Sequence, residues 1–249
     1  MAESLKGKVA VITGVGSGFG KATAELFAKL DQVNLILIDL NKQALEATAK
    51  VCKESGSKVI ALASDVTKPE TFERALKEAL DNFGKVDFLI NYAGGALKVA
   101  PIEEMDDGIN RRIIDLNLTS AIMSCRTFTP QFKKQGSGKI INVSSACDRR
   151  SWPGWSVYSA AKAGLNAFTK CLYTELRPHG IAVTLLVPGG SNTGFQAASD
   201  GVKKFEWDED LAVRPEHFAD MVYQACALTK GGCVSEMLVY GLAQDVSGF

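Results

Sequence analysis

Tyr158 and Lys162 frame the run Tyr158-Ser159-Ala160-Ala161-Lys162, a spacing that on a helix sets a phenol and an ammonium one turn apart on the same face. A free tyrosine holds its proton up to a pH of about 10, too high for easy exchange near neutrality. A fixed cation nearby favours phenolate and lowers that value, so the pair has the makings of a general acid/base. The same spacing also arises by chance on solvated helices and needs company to carry weight. Upstream, Ile140-Ile141-Asn142-Val143-Ser144-Ser145 reads as a strand ending in two hydroxyls. One of them could bond a substrate oxygen and steady the charge that develops there.

Strand-like β-branched runs recur over Lys8 to Gly14, Val33 to Leu40, Lys58 to Asp65, Val86 to Ala93, Lys139 to Ser145, Ile181 to Pro188 and Val234 to Gly241. Between them lie apolar residues at helical spacing, such as Ala22, Leu26, Ala28 and Leu30, or Phe72, Leu76, Leu80 and Phe83. Strand and helix alternate, and runs such as LILI are apolar on both faces. The pattern predicts an α/β fold: one doubly wound, Rossmann-type domain whose central parallel sheet is flanked by helices on both faces. With 249 residues, the chain is long enough for one substantial core, so 1–249 is expected to be a single dinucleotide-binding and catalytic domain. The polar stretch at about 189–214 is expected to be a substrate lid.

After the first run comes Thr13-Gly14-Val15-Gly16-Ser17-Gly18-Phe19-Gly20, followed by a helical pattern from Lys21. Glycines allow a tight turn and close approach of a pyrophosphate, whose charge meets the unpaired N–H groups of the helix start. They also permit close strand-to-helix packing with no ligand at all. Asp39 ends the second run, where a dinucleotide fold places an acid for the adenosine ribose hydroxyls, although an Asp there also caps the next helix. A carboxylate at that point repels a 2′-phosphate, and no Arg or Lys stands in the glycine loop before Gly18. NAD is therefore favoured as the cofactor over NADP.

The loop spacing T-G-x-x-x-G-x-G, the strand-end serines and the Tyr-x-x-x-Lys run together resemble the short-chain dehydrogenase/reductase family, from Lys8 to about Thr193. The resemblance implies that Asn117, Ser145, Tyr158 and Lys162 are catalytic, with Ser145 at the family's offset from the tyrosine and Ser144 structural. It implies cofactor contacts from Gly14, Ser17, Gly18, Phe19 and Gly20, and from Asp39, Asp65, Val66, Asn91, Ala93 and Gly94. Tyr158, Lys162, Pro188, Gly189, Ser191 and Thr193 complete that set. Asn117 in the family stands at a helix irregularity and supports a water chain to the lysine. Tyr92 departs from the family's N-N-A-G turn and is expected to change packing under the sheet, and Ser191 replaces a usual apolar residue. The implied reaction interconverts a secondary alcohol and its ketone: Tyr158 moves the proton, Ser145 orients the oxygen, and a hydride passes to or from the nicotinamide.

Substrate contacts are expected from Ser145, Cys147, Trp152, Trp155, Tyr158 and Phe195, with Phe205 and Trp207 further out. Either tryptophan could instead be core or subunit contact. Arg149 and Arg150 could meet an anionic group but are more often solvated or at an interface, so no acid substrate is assigned. Lys plus Arg and Asp plus Glu each total 28, which provides no field for nucleic acid. His179 and His217 lack partners at ligand spacing, so no metal is expected. Six cysteines at irregular spacing suit reduced cytosolic thiols, no membrane partner is expected, and Met1 to Lys8 does not read as a secretory signal. A cytoplasmic homo-oligomer, dimer or tetramer, follows by resemblance, through the long helices from about Leu118 and Ser156. Two other functions compete: an NADPH-dependent 3-oxoacyl thioester reductase, and a non-catalytic dinucleotide-binding regulator. Asp39 and the balanced charge weigh against the first, and the four filled catalytic positions against the second.

Overall fold

The protein is seen here as a computed structural model that describes residues 3–191, 193–195, 199–202, 213–229 and 231–242. Its strands are β1 (Val9–Thr13), β2 (Asn34–Asp39), β3 (Val59–Ala63), β4 (Phe88–Asn91), β5 (Gly138–Val143), β6 (Ile181–Pro188) and β7 (Glu236–Val239). Each falls within one of the seven apolar runs except β5, which begins one residue before its run, at Gly138. Interleaved with them are the helices α1 (Gly18–Asp31), α2 (Lys42–Glu54), α3 (Pro69–Phe83), α4 (Asp107–Ile114), α5 (Ser120–Gln135), α6 (Ser156–Leu176) and α7 (Pro215–Ala227). The strands form one parallel sheet in the order β3-β2-β1-β4-β5-β6-β7.

Side-chain alternation along the strands feeds two separate cores. Ala10 and Ile12 of β1, with Leu35 and Leu37 of β2, face a layer that includes Phe27 of α1, Leu45 of α2 and Phe218 of α7. Val9, Val11, Ile36 and Ile38 face the opposite layer, with Phe72 of α3, Phe128 and Phe132 of α5, and Leu172 of α6. The interiors of both strands are thus continuously apolar because both of their faces are covered. Each fully buried phenylalanine contributes about 2–3 kcal/mol of transfer free energy, which favours the sandwich over any open-faced sheet.

The strand order reverses between β1 and β4, which lie side by side although β2 and β3 intervene in the chain. At such a switch point the connections leave in opposite directions, and a crevice opens beyond the carboxyl ends of the strands. The glycine loop after β1, the turn after β4 and the serines after β5 all project from that edge. No helix among the described residues is long and apolar enough to cross a membrane.

Candidate active site

The glycine loop is shaped by close contacts that a side chain would break. Gly14 has φ 72°, and a Cβ there would stand 2.8 Å from the Ala93 nitrogen. A Cβ on Gly20 would collide with the Gly14 carbonyl oxygen. Close approach of the turn after β4 accounts for Gly14 and close packing of α1 on the end of β1 for Gly20, and the latter brings the first-turn N–H groups of α1, which lack helical partners, to the crevice. Ala93 N donates to Thr13 Oγ1 at 3.1 Å, which ties the turn after β4 to the loop. Thr193 lies across from Gly18, 3.2 Å from where a Cβ would be, so the segment after β6 borders the same crevice.

Asp39, at the end of β2, turns its carboxylate onto this loop. Oδ2 accepts from Gly16 N at 2.7 Å and Oδ1 from Asn41 N at 2.8 Å. Asn41 itself accepts from Ala44 N and serves as the N-cap of α2, so capping falls to the neighbour and the Asp stays at the crevice. Each carboxylate oxygen keeps a further lone pair for a ribose hydroxyl. The donor-rich loop, the acid beside it and the sterically required glycines fit a dinucleotide.

Other expected cofactor contacts are engaged elsewhere with their side chains. The Phe19 ring packs on Phe218 at 4.3 Å and Tyr92 at 6.4 Å. Asp65 accepts through Oδ1 from both the N–H and the hydroxyl of Thr67, beside a buried Val66. Asn91 donates to Asn142 Oδ1 at 2.8 Å and accepts from Ser124 at 3.0 Å, and Asn142 in turn donates to Thr169. That buried chain ties β4, β5, α5 and α6 together beneath the site. Gly189 N donates to Val239 O, continuing from Pro188 at the β6–β7 register, and the Ser191 hydroxyl donates to Val213 O at 2.5 Å. The Phe19 and Asn91 side chains and the Ser191 hydroxyl proton are thus engaged within the protein. Ser17 and Gly94 border the crevice: a Cβ on Gly194 would touch Ser17 Oγ, and one on Gly94 would touch Asn117 and Lys162. Tyr92 departs from the family pattern as a packing residue, its hydroxyl 2.7 Å from Thr23 Oγ1.

The structure brings the four catalytic candidates to one place. Ser145 follows β5 and accepts from Cys147 N at 3.2 Å, and its hydroxyl lies near enough to the Tyr158 phenol to favour the phenolate. Tyr158 and Lys162 share a face of α6, with the Lys162 ammonium 5.7 Å from the phenol ring centroid. Lys162 donates to Val143 O at 2.9 Å and is 4% exposed. Asn117 stands in a π-helical turn, Asp115–Thr119, between α4 and α5. Its amide donates to Gly95 O and Ile113 O, and its oxygen accepts from Gly95 N. This is a buried asparagine with both amide hydrogens engaged and one lone pair of its oxygen filled. Ser144 is structural: its hydroxyl donates to Asp148 and lies 3.2 Å from Lys162 O.

Electrostatically the site departs from expectation. Burial pushes the Tyr158 phenol well above its usual range, and the nearby Cys147 and Asp148 add to the rise, while the Ser145 hydrogen bond opposes it. The Lys162 ammonium, whose charge would favour the phenolate, is itself hard to keep protonated in this buried position. Burial pulls Lys162 from 10.5 down to about 8, against the pull of Cys147 and Asp148. At neutral pH the phenol is protonated, the form that donates.

Two rings close over the phenol. Trp155 and Phe195 stack at 6.3 Å with planes 8° apart, and each meets the Tyr158 ring edge-on at 5.6 Å. Trp155 is thereby placed at the site, whereas Trp152 is 39% exposed beyond it. Ala96, Ile113, Leu97, Met105 and Ile109 complete an apolar surround, with Cys147 at its edge. Arg149 is not free for a ligand: it pairs with Asp148 at 3.1 Å and with Glu236. Phe205, Trp207 and most of the expected lid lie outside the described residues. All six cysteines are free thiols. Sequence reasoning missed Asp148, Asn142, Thr169 and Asn166, which hold the site from behind; only Asn166, four residues beyond Lys162, carried a periodic signal.

Comparison with known proteins supplies the context for this geometry. A family model described as short chain dehydrogenase matches residues 8–202. A diacetyl reductase, (S)-acetoin forming, from Staphylococcus epidermidis is 35% identical over 187 residues, covering 75% of this chain and 72% of that protein. Among solved structures, an alcohol dehydrogenase from the archaeon Thermococcus sibiricus, complexed with 5-hydroxy-NADP, superposes with TM-score 0.84. It is 28% identical and covers 96% of this chain and 98% of that one. A 3-ketoacyl-(acyl-carrier-protein) reductase from Brucella melitensis, complexed with NADH, has TM-score 0.80 at 30% identity, covering 94% and 98%.

Proposed function

The chain belongs to the short-chain dehydrogenase family, and from that premise we propose that it is an NAD(H)-dependent oxidoreductase interconverting a secondary alcohol and its ketone. The observation that carries this reading is the placing of the buried Tyr158 phenol beside the buried Lys162 ammonium, 5.7 Å from its ring, next to the Ser145 turn at the carboxyl edge of the sheet. In this reading 1–249 forms a single dinucleotide-binding and catalytic domain.

The glycine loop and α1 N-terminus would hold the pyrophosphate, Asp39 the adenosine ribose, and the Pro188 to Thr193 segment the nicotinamide end. When bound, the nicotinamide accepts or supplies the hydride. Ser145 holds the substrate oxygen beside the phenol. For reduction, the protonated Tyr158 gives its proton to that oxygen as negative charge develops. For oxidation, the phenolate takes the hydroxyl proton, and the Lys162 ammonium stabilises the phenolate through space. Asp39 supports NAD over NADP, because a 2′-phosphate would meet a carboxylate already bonded to the loop.

The apolar surround of Tyr158 and the engagement of Arg149 support ketones with an aryl or alicyclic group over hydroxy acids. The proposal extends to a cytoplasmic dimer or tetramer, supported by the free thiols and by Ile122, exposed on α5. The test is a panel of aryl ketones, aliphatic ketones, hydroxy acids and a 3-oxoacyl thioester, each with NADH and with NADPH. Aryl ketones with NADH are expected to have the highest kcat/KM. Thioester turnover with NADPH would replace this reading by the acyl reductase, and NADH binding without any turnover would replace it by a regulator.

A further inference from the structure

We propose that Asp148 is a positioning residue for proton transfer: its buried carboxylate locks the Ser145 turn onto the catalytic helix and sets a fixed negative charge beside Lys162. This assignment rests on the Tyr158 and Lys162 roles given above.

Asp148 closes the short 3-10 turn Ala146–Asp148 that follows Ser145, and its own N–H donates to Ser145 O at 2.9 Å. Its side chain has no solvent exposure. A carboxylate in that position is expensive unless it is paired and its lone pairs are filled. Here Oδ2 accepts from Ser144 Oγ at 2.8 Å and from Asn166 Nδ2 at 2.9 Å, and Oδ1 accepts from Arg149 Nε at 3.1 Å. The partners come from β5's end, from α6 and from the turn itself, so the carboxylate is the common point of three elements.

Asn166 lies in the row Tyr158, Lys162, Asn166, Lys170, each four residues apart on α6 and hence along one face. Facing that row is a second one: Asp148 opposite Asn166, then Arg149, then Glu236 of β7, whose carboxylate pairs with Arg149 and lies 3.8 Å from Lys170. The two rows fix the rotation of α6 relative to Ser145, and with it the meeting of serine and phenol. The charged and titratable groups around Asp148 are Cys147 and Arg149 in its own turn, Tyr158 and Lys162 on α6, and Glu236 behind Arg149. Tyr240, past β7, also feels Asp148 together with Arg149 and Arg150. Within this set, Asp148 opposes the effect of burial on Lys162 and adds to it on Tyr158. Loss of its charge lets both groups release protons at lower pH.

Two readouts separate this role from simple scaffolding. The first is a 13Cε-lysine NMR titration of the unliganded protein, with Lys162 assigned by its absence in Lys162→Met. The second is the pH dependence of kcat/KM for alcohol oxidation. Asp148→Asn is expected to move the Lys162 midpoint and the kinetic limb downward by more than about half a pH unit, and Asp148→Glu to restore them. Arg149→Gln, which leaves the carboxylate without its neutralising partner, is expected to move both upward and decides the matter if Asp148→Asn does not fold. Lower rate or stability with unmoved midpoints, or an Arg149→Gln midpoint that stays or falls, overturns the proposal. Absence of turnover in the wild type would instead fail the functional reading, while the lysine titration still decides the role of Asp148.

Discussion

Replacing Lys162 with methionine should stabilise the protein in a way that disappears at high pH. The ammonium is buried, and its pKa falls from 10.5 in water to about 8 in the fold. The unfolded chain therefore binds this proton more tightly than the native one, and stability rises with pH between those two values. A depression of that size corresponds to about 3 kcal/mol of destabilisation, fully present below about pH 8 and shrinking to about 1 kcal/mol or less by pH 10. Lys162→Met removes this pH-dependent cost but strands the Val143 carbonyl, which accepts at 2.9 Å, at a pH-independent loss of about 1–3 kcal/mol. The net gain at pH 7 is thus small, and the diagnostic quantity is its change with pH. Urea unfolding of both proteins at pH 7 and pH 10 should show the variant losing about 2–3 kcal/mol relative to wild type across that interval. A difference that stays constant would mean that Lys162 is not desolvated, and the reasoning about its proton would fail. Activity should be lost at every pH, so the same residue would trade stability for function.

Three other substitutions test the surrounding architecture. Asp39→Ala should narrow an initial preference for NADH over NADPH in binding titrations, and a wild-type preference for NADPH would overturn the role given to that acid. Gly20→Ala drives a methyl into the Gly14 carbonyl, so it should lower the denaturation midpoint by an amount equivalent to about 1–3 kcal/mol and weaken NADH binding. Tyr92→Phe strands the buried Thr23 hydroxyl and should cost about 1–2 kcal/mol of stability while turnover is retained.

Fold class was readable because both sheet faces are covered, which makes the interiors of β1 and β2 continuously apolar and leaves period-2 alternation hidden inside the runs. Strand ends were less readable. Val234 is packed against the core, yet pairing begins only at Glu236, since hydrogen-bond register depends on β6 rather than on apolarity. At the site, Tyr158 and Lys162 were visible as a four-residue spacing, and Ser145 through its strand end. The protonation balance was not visible, because it follows from burial that includes Trp155, three residues before Tyr158, and Phe195, 37 residues after it, and sequence spacing does not show that their rings meet the phenol. Asp148 was hidden for the same reason: nothing in Cys147-Asp148-Arg149-Arg150 says that the acid turns inward to Ser144 and Asn166 while Arg149 reaches β7. The engaged side chains of Phe19 and Asn91 likewise depend on neighbours distant in the chain, on α7 and β5.

The most direct test of the account is Tyr158→Phe, which removes one oxygen from a ring that keeps its edge-on contacts with Trp155 and Phe195. NADH should bind with unchanged affinity while turnover of the best ketone falls by at least about 100-fold. Wild-type turnover in the variant would contradict the claim that this phenol moves the proton.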